Sequence, residues 1–203
     1  MPVDSAVALV SLADAKSFLK ISGSGEDDVV SFLVNEISQF IGTYTRRKLV
    51  QASYTEFYDG DGSAELVLAR RPVQSITSVH DDPLREFGSG TLVPAADVLT
   101  DKEAGILMLS PVSSTPAFLK GKGNVKVVYS AGYPAASIPY DLQIAAKKLI
   151  AFRYFERKDG RFGQGSQTQG LVSVSFTLDE IPRDVREVLD RYVDRGEPDR
   201  YFA

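Results

Sequence analysis

The spacing of apolar residues changes twice along this chain, and those changes limit the folds it can adopt. Between Val30 and Tyr44, apolar residues recur every three or four positions, which predicts a helix over about Glu26–Thr45. Residues 51–137 instead hold short segments rich in Val, Ile, Thr and Tyr between turn residues, a pattern typical of strands. Helical spacing returns after Pro139. The sequence therefore predicts an α+β protein.

The two helical regions are predicted to form one core. Residues 1–50 and 138–203 are assigned to an α-helical bundle core built from both chain ends, and residues 51–137 to an inserted antiparallel β subdomain. Helices are predicted from a cap at Ser11 to about Leu19, over Glu26–Thr45, from Pro139 to about Lys158, and from Pro182 onward. Strands are predicted near Ser53–Tyr58, Glu65–Ala69, Ile76–His80, Gly105–Leu109 and Asn124–Tyr129.

Two connecting segments have distinctive compositions. Gly160–Gly170 holds four glycines and three glutamines, which predicts a loop that is mobile in the isolated subunit. Leu171–Thr177 alternates apolar and hydroxyl residues, so it is interpreted as a strand or an extended arm. The Asp59-Gly60-Asp61-Gly62 stretch predicts a hairpin turn between the first two strands.

Composition excludes several classes of function. The 203 residues are 43% hydrophobic and 25% charged, as expected of a folded globular protein. The absence of cysteine rules out disulfides, thiolate zinc sites and cysteine nucleophiles. The net charge of −4 is spread without a basic segment, which disfavours tight DNA binding. The apolar stretch Ala6–Val10 has no preceding Lys or Arg, so it is a poor signal peptide, and a soluble protein without membrane attachment is expected.

The acidic turn after the first strand resembles the opening of a calcium-binding loop. Asp59, Asp61 and Ser63 have the spacing of the first ligands of such a loop. Arg70 stands at the twelfth position, where the loop requires glutamate. A plain turn is therefore favoured over a metal site.

The only histidine of the sequence lies beside two carboxylates. His80 precedes Asp81 and Asp82, but no Gly-x-Ser-x-Gly motif supplies a nucleophile, so a surface histidine is favoured over a catalytic triad. The carboxylate pairs Asp27–Asp28 and Asp179–Glu180 lie at predicted helix starts, where they complement the helix dipole. Acid–base catalysis has no stronger candidates.

Neither glycine-rich segment satisfies a nucleotide-binding motif. After Gly163 and Gly165 the third required glycine is replaced by Thr168, and Gly121–Gly123 lacks the rest of a phosphate loop. The sequence therefore predicts no catalytic residue, no metal site and no cofactor.

The last five residues, Asp199–Ala203, suggest a binding role. Arg200, Tyr201 and Phe202 follow Gly196 and Pro198, which are expected to end the last helix. Two aromatic residues in a short polar tail bury nothing locally, so they favour a partner that supplies a pocket, with a fraying terminus as the alternative.

Eight short segments along the chain match one known family in order and spacing. They are Val10–Ile21, Glu26–Asp28, Ile41–Arg47, Arg71–Val79, Val128–Tyr133, Ile138–Leu142, Tyr154–Arg157 and Ile181–Arg186. In these segments the chain resembles the head-tail connector (adaptor) family of tailed double-stranded-DNA bacteriophages and gene transfer agents.

That resemblance implies a structural protein without enzymatic activity. It implies a homo-oligomeric ring, dodecameric in the particle, that lies under the portal protein in the virion neck and contacts the next neck or tail-completion protein. DNA passes through the ring only as cargo, and the protein is made in the bacterial host cytoplasm. The resemblance also implies that the carboxy-terminal segment, Asp199–Ala203, reaches into the portal. Smaller family members lack much of the β region, so the role of 51–137 is not implied.

Two other classes of function stay open at the level of sequence. One is a small enzyme, such as a hydrolase, whose site is assembled from residues without a recognisable motif. The other is a ligand-binding β module carried on helices. An enzyme is expected to show a deep pocket with clustered titratable groups, whereas a connector is expected to self-associate.

Overall fold

The fold is described from a computed structural model, over residues 1–113, 115–158, 166–169, 172–175 and 181–194. These residues contain four α-helices and eight strands in antiparallel sheets, so the predicted α+β class is confirmed. The chain divides into two compact units. The helical unit comprises the described parts of Met1–Arg47 and Ile138–Ala203, and the β unit is Lys48–Ser137.

The helices lie close to their predicted positions. They are α1 (Leu12–Leu19), α2 (Asp27–Thr45), α3 (Tyr140–Lys158) and α4 (Arg183–Leu189). None of these described helices is long and apolar enough to span a bilayer. All four contribute buried apolar residues, and α2 and α3 pack against each other as well as against α1 and α4.

The cap of α1 forms as the sequence predicts. The Ser11 side chain accepts a hydrogen bond from the Asp14 backbone N–H at 3.0 Å, and its hydroxyl donates to the Asp14 carboxylate at 2.6 Å. This satisfies one of the backbone donors that a helix start leaves free. At the other end Lys20 takes a left-handed conformation, with φ of 57°, and closes the helix.

Two buried polar side chains of α2 fix the segment that precedes α1. The Asn35 amide accepts from the Asp4 backbone N–H at 2.8 Å and donates to the Pro2 carbonyl at 3.0 Å. The Ser38 hydroxyl accepts from the Leu9 backbone N–H at 3.1 Å. Because buried polar groups need partners, these bonds explain why α2 carries polar residues inside its apolar surface.

The segment after α4 is tied back to α2 and α3. The Tyr192 hydroxyl donates to the Asp141 carboxylate at 2.7 Å, and the Asp194 backbone N–H donates to the Thr45 carbonyl at 2.8 Å. The Tyr44 hydroxyl donates to Asp190 at 2.6 Å. Residues from the two ends of the chain therefore contact one another within the helical unit.

The β unit contains two three-stranded antiparallel sheets. The first has the order β1-β6-β3, with β1 at Ala52–Gly60, β6 at Gly121–Ala131 and β3 at Val73–Asp81. The second has the order β2-β5-β4, with β2 at Glu65–Val67, β5 at Ile106–Leu109 and β4 at Val98–Asp101. Both sheets contribute side chains to a shared core that includes Tyr129, Phe118, Leu107, Val79 and Val125.

Three details of the strands differ from the sequence prediction. The Asp59–Gly62 turn does not close a hairpin, because β1 pairs with β6 and β2 pairs with β5. Strand β4 is absent from the prediction, since Val98–Asp101 is too short to show a period. Ser166–Gln169, predicted as loop, forms β7 and pairs with β8 (Val172–Ser175), whose extended conformation is confirmed. The glycines around this segment favour a loop locally, and pairing with β8 outweighs that preference.

One buried asparagine holds the end of the first sheet together. The Asn124 amide nitrogen donates to the Asp81 carboxylate at 3.0 Å and to the Leu119 carbonyl at 2.8 Å, and its oxygen accepts from the Gly60 backbone N–H at 2.9 Å. The Asp81 carboxylate also accepts from the Leu119 backbone N–H at 2.7 Å. This cluster links all three strands of the sheet to the segment before β6.

Candidate interaction surface

The predicted partner-binding residues Asp199, Arg200, Tyr201, Phe202 and Ala203 lie outside the described residues. The carboxylate pair Asp179–Glu180 also lies outside them, as do Gly160–Gly165 and Gly170 of the predicted mobile loop. The role of the tail and the mobility of the loop stay predictions.

The acidic turn that resembles a calcium loop has protein partners instead. The Asp59 carboxylate accepts from the Lys122 ammonium at 2.9 Å and from the Gly123 backbone N–H at 2.6 Å, and these bonds lower its pKa. The Asp61 carboxylate accepts from the Ser63 backbone N–H at 2.8 Å. No group of residues in the described parts of the chain is arranged to hold a metal ion.

His80 and its two neighbouring carboxylates do not converge on a reaction centre. The His80 Nδ1 atom lies 3.4 Å from the Thr91 hydroxyl, and its ring lies edge-on to Phe87. Asp81 is committed to Asn124, and Asp82 to backbone groups of the following loop. Asp27 and Asp28 bind Lys16 and the chain's amino group. The described carboxylates considered for acid–base chemistry are therefore used structurally.

The Asp82 carboxylate organises the loop of residues 82–88. It accepts hydrogen bonds from the backbone N–H groups of Leu84, Glu86 and Phe87 at 2.9, 2.9 and 2.7 Å. Burial of the carboxylate acts to raise its pKa, but these bonds outweigh burial and lower the pKa below its ordinary value. Arg85 and Phe87 both have a positive φ, of 60° and 52°, so the bonds to Asp82 hold a backbone that these residues rarely adopt.

The loop places an aromatic ring over the outer face of the first sheet. The Phe87 ring lies 5.3 Å from that of Phe57 and 6.5 Å from that of His80, and the Lys126 ammonium lies 5.5 Å from its centre. Phe57, Lys126 and His80 are direct neighbours across β1, β6 and β3. We call Phe57, His80, Phe87 and Lys126 the outer-sheet cluster.

The outer-sheet cluster is an exposed apolar surface with a cation. Phe57 is 56% exposed, and Leu84, in the same loop as Phe87, is 79% exposed. Aromatic rings beside a lysine favour protein partners rather than solvent, since they combine large contact area with a polar group. The sequence indicates the outer-sheet cluster at one position, since Phe57 is apolar where the alternation of β1 favours a polar residue. Phe87 gives no signal, since its position depends on the backbone that Asp82 holds.

A second polar network lies on the inner side of the same sheet. The Glu56 carboxylate accepts from the hydroxyls of Tyr58 and Tyr129, both at 2.6 Å, and pairs with the Arg70 guanidinium at 3.4 Å. The Tyr58 and Tyr129 hydroxyls in turn accept from the backbone N–H groups of Ala69 and Arg70. Burial, together with donation to Glu56, raises the pKa of both tyrosines far above the ordinary value.

This network predicts a loss of stability at alkaline pH. Both tyrosines keep their protons more tightly in the folded state, so their contribution is complete below about pH 10 and falls as the pH rises further. Replacing Tyr129 with phenylalanine is expected to cost about 1–3 kcal/mol at neutral pH and to flatten the decline above about pH 10. Urea unfolding at a series of pH values measures both effects. Tyr140→Phe is the control, since Tyr140 is 72% exposed; equal alkaline slopes in both variants would contradict the prediction.

A cleft in the β unit does not have the lining of an active site. It has a volume of about 360 Å³ and lies between β3, β4 and the segment that joins them. Lys102 is the one titratable residue among its lining residues, which are otherwise aliphatic, hydroxyl or amide. A single lysine with no nucleophile, acid or base beside it in the lining gives no support to the enzyme alternative.

Comparison with known proteins identifies one family and one set of similar folds. Residues 8–194 match the model of the family described as head completion protein. A search of curated proteins finds no significant match. A chain of the neck of an empty gene transfer agent (GTA) particle, computed with C6 symmetry, has a TM-score of 0.55 at 17% identity, covering 95% of this chain and 92% of that chain.

Two further GTA structures give similar values. A chain of the native GTA neck, computed with C12 symmetry, has a TM-score of 0.55 at 17% identity and covers 95% of this chain and 91% of that chain. A chain of the native GTA virion has a TM-score of 0.54 at 16% identity, with coverages of 95% and 92%. At these identities the likeness shows a shared fold across nearly the whole chain.

Proposed function

Because this chain belongs to the head completion protein family, we infer that it is a structural head-to-tail connector of a tailed phage or phage-like particle, located in the virion neck. The observation that carries this inference is the family match, which runs from residue 8 to residue 194 and so includes both the helical and the β unit. The fold shared with GTA neck chains over 95% of the length supports the same location.

We propose that the chain acts as a ring under the portal. The GTA necks that contain chains of the same fold were computed with C6 and C12 symmetry, which supports a closed ring with twelve copies in the particle. Its partners are then the portal protein, the next neck or tail-completion protein and further copies of itself. The DNA passes through as cargo, in agreement with a net charge of −4 and no basic segment.

The connector acts without catalysis or a bound cofactor. This part of the proposal is supported by the structural use of Asp59, Asp81, Asp82 and Glu56, each of which binds groups of its own unit. It is also supported by the cleft at β3 and β4, whose lining offers a single titratable residue. The family match favours the connector over both alternatives, a hydrolase and a ligand-binding β module.

We further propose that the helices form a bundle core from residues 1–50 and 138–203, with 51–137 as the inserted β subdomain. The support is the packing among α1, α2, α3 and α4 and the separate core of the β unit. In a connector, the helical core and the β subdomain offer two separate surfaces for neighbours. The tail Asp199–Ala203 is proposed as the segment that binds the portal.

Removing the protein tests the connector function. Particles assembled without it are expected to be DNA-filled heads without tails, because the joint between head and tail is missing. Electron microscopy of the particles and measurement of nuclease-protected DNA report this outcome. Supplying the wild-type chain in trans is the control and is expected to restore tails. Tailed, infectious particles made without the protein would overturn the proposed function, whereas purified portal that retains the wild-type protein would support it.

A further inference from the structure

Helix α3 has apolar residues on two opposite faces. The first face is buried in the helical unit and includes Leu142, Ala146 and Leu149. The opposite face carries Tyr140, Ile144, Lys147, Ala151 and Phe155, which recur at steps of three or four residues. Tyr140 is 72% exposed and Phe155 is 45% exposed, and the three residues between them are half-buried; we call this second face the α3 outer stripe. A helix that is apolar on both sides is typical of one that is buried on both sides.

Helix α2 has an acidic outer face, whereas the charged residue of the α3 outer stripe is the basic Lys147. Its buried residues, such as Val30, Val34 and Ile37, lie on one broad side. The α2 outer stripe lies opposite and consists of Asp28, Phe32, Glu36, Gln39 and Thr43. Phe32 is 49% exposed at the centre of an acidic surface. Two acidic residues flank this phenylalanine at a distance of one helical turn on each side.

The two stripes complement each other in length and charge. Both helices have 19 residues, which corresponds to about 28 Å each. Glu36 and Lys147 lie near the middle of their helices, about 14 Å from the start of α2 and about 17 Å from the end of α3. Neither has an ion-pair partner among the described residues, although Lys148 is paired with Asp184. Each stripe therefore offers one unpaired charge of the sign that the other needs.

The exposed aromatic residues favour an antiparallel arrangement of the two stripes. In an antiparallel pair the helix dipoles oppose each other, which is favourable. The alignment that pairs Glu36 with Lys147 then also brings Phe32 within about one helical turn of Phe155. A parallel pair with the helix starts aligned would separate the two phenylalanines by about 15 Å along the axis.

We propose that the α2 outer stripe of one copy packs antiparallel against the α3 outer stripe of the next copy. The contact joins two different surfaces, so a growing assembly always has one free α2 outer stripe at one end and one free α3 outer stripe at the other. Such heterologous association continues until a ring closes. The inference rests on the proposed self-assembly of the connector and assigns the helices that carry it.

Charge reversal tests the contact. Glu36→Lys and Lys147→Glu are each expected to weaken self-association at least about tenfold, because like charges replace the central pair. An equimolar mixture of the two variants is expected to restore assembly, since the two substituted side chains face each other at one junction and the two native side chains at the next. Sedimentation velocity measures assembly, and circular dichroism checks that each variant is folded. Glu103→Lys and Lys102→Glu are matched controls at exposed positions of the β unit, expected to assemble like the wild type.

The chain contains no cysteine, so cross-linking gives a second measurement. Oxidation of a Glu36→Cys/Lys147→Cys double variant is expected to give a ladder of linked copies, whereas each single variant is expected to give none beyond a dimer. Wild-type protein that assembles while neither charge reversal has any effect, or a double variant that yields no ladder, overturns the helix contact alone. Wild-type protein that stays monomeric at every concentration and on the portal contradicts the proposed self-assembly itself.

Discussion

Replacing Gly60 with alanine is expected to destabilise the β unit by about 2–4 kcal/mol, a large share of the stability of a small domain. A Cβ atom at this position would lie 1.9 Å from the Leu119 carbonyl oxygen and 3.0 Å from the Asn124 amide nitrogen. Both neighbours are fixed, because the carbonyl belongs to the backbone and the amide is bonded to Asp81. The clash therefore forces β1 away from Asn124, whose bond to the Gly60 N–H is lost.

The matched control for this substitution is Gly88→Ala. A Cβ atom at Gly88 meets nothing within 4 Å, and its φ of −69° suits any residue. The control is expected to change stability by less than about 0.5 kcal/mol. Thermal and urea unfolding measure both variants. Equal stability of the Gly60 and Gly88 variants would show that the strand end is looser than the hydrogen bonds at Asn124 indicate.

The helices are predictable because their determinants are local. The Ser11–Asp14 cap and the apolar spacing of α2 are visible within one or two turns of sequence. The strand pairing is less predictable, since β1 joins β6, about sixty residues later, rather than β2. The Asp59–Gly62 turn looks the same locally whether or not it closes a hairpin. Long-range strand pairing, and not the composition of the turn, therefore decides whether β1 and β2 form a hairpin.

The candidate surfaces also differ in how far the sequence predicts them. The two outer stripes of α2 and α3 are present in the sequence as a second helical spacing, which the stronger core spacing obscures. The outer-sheet cluster depends on Asp82 holding Phe87 in a left-handed conformation, and no local pattern predicts that bond. Sequence position alone makes Asp82 a candidate partner of His80 in catalysis. Its three backbone bonds show a structural role that only the fold reveals.

Deleting Asp199–Ala203 is expected to leave the subunit folded while abolishing its function in assembly. Contacts that precede the deleted residues hold the end of the chain to the helices, among them those of Tyr192 with Asp141 and of Asp194 with Thr45. The melting temperature of the truncated protein is therefore expected to match that of the wild type. The proposed loss is confined to binding of the portal by Tyr201 and Phe202.

The expected size of the effect follows from multivalency. If each copy in a ring contributes one weak aromatic anchor, the joint is held by many anchors together, and avidity of this kind exceeds single-site affinity by about 10²–10⁴. Removing every anchor at once is thus expected to lower the yield of tailed particles at least about a hundredfold. Tyr201→Ala/Phe202→Ala should reproduce most of the loss, because aromatic side chains supply the buried area. Asp199→Asn is the matched control and is expected to have little effect.

Electron microscopy and infectivity separate the possible outcomes of this experiment. DNA-filled heads without tails, together with an unchanged melting temperature, are expected if the tail binds the portal. A truncated protein that melts at a lower temperature would assign the tail to the fold of the subunit instead. Normal yields of infectious particles from the truncated chain would rule out the tail as an anchor and leave the helical and β surfaces to carry the joint. The tail and helix contacts are thus separable, since charge reversal at Glu36 acts on copies of the chain and the deletion acts on its partner.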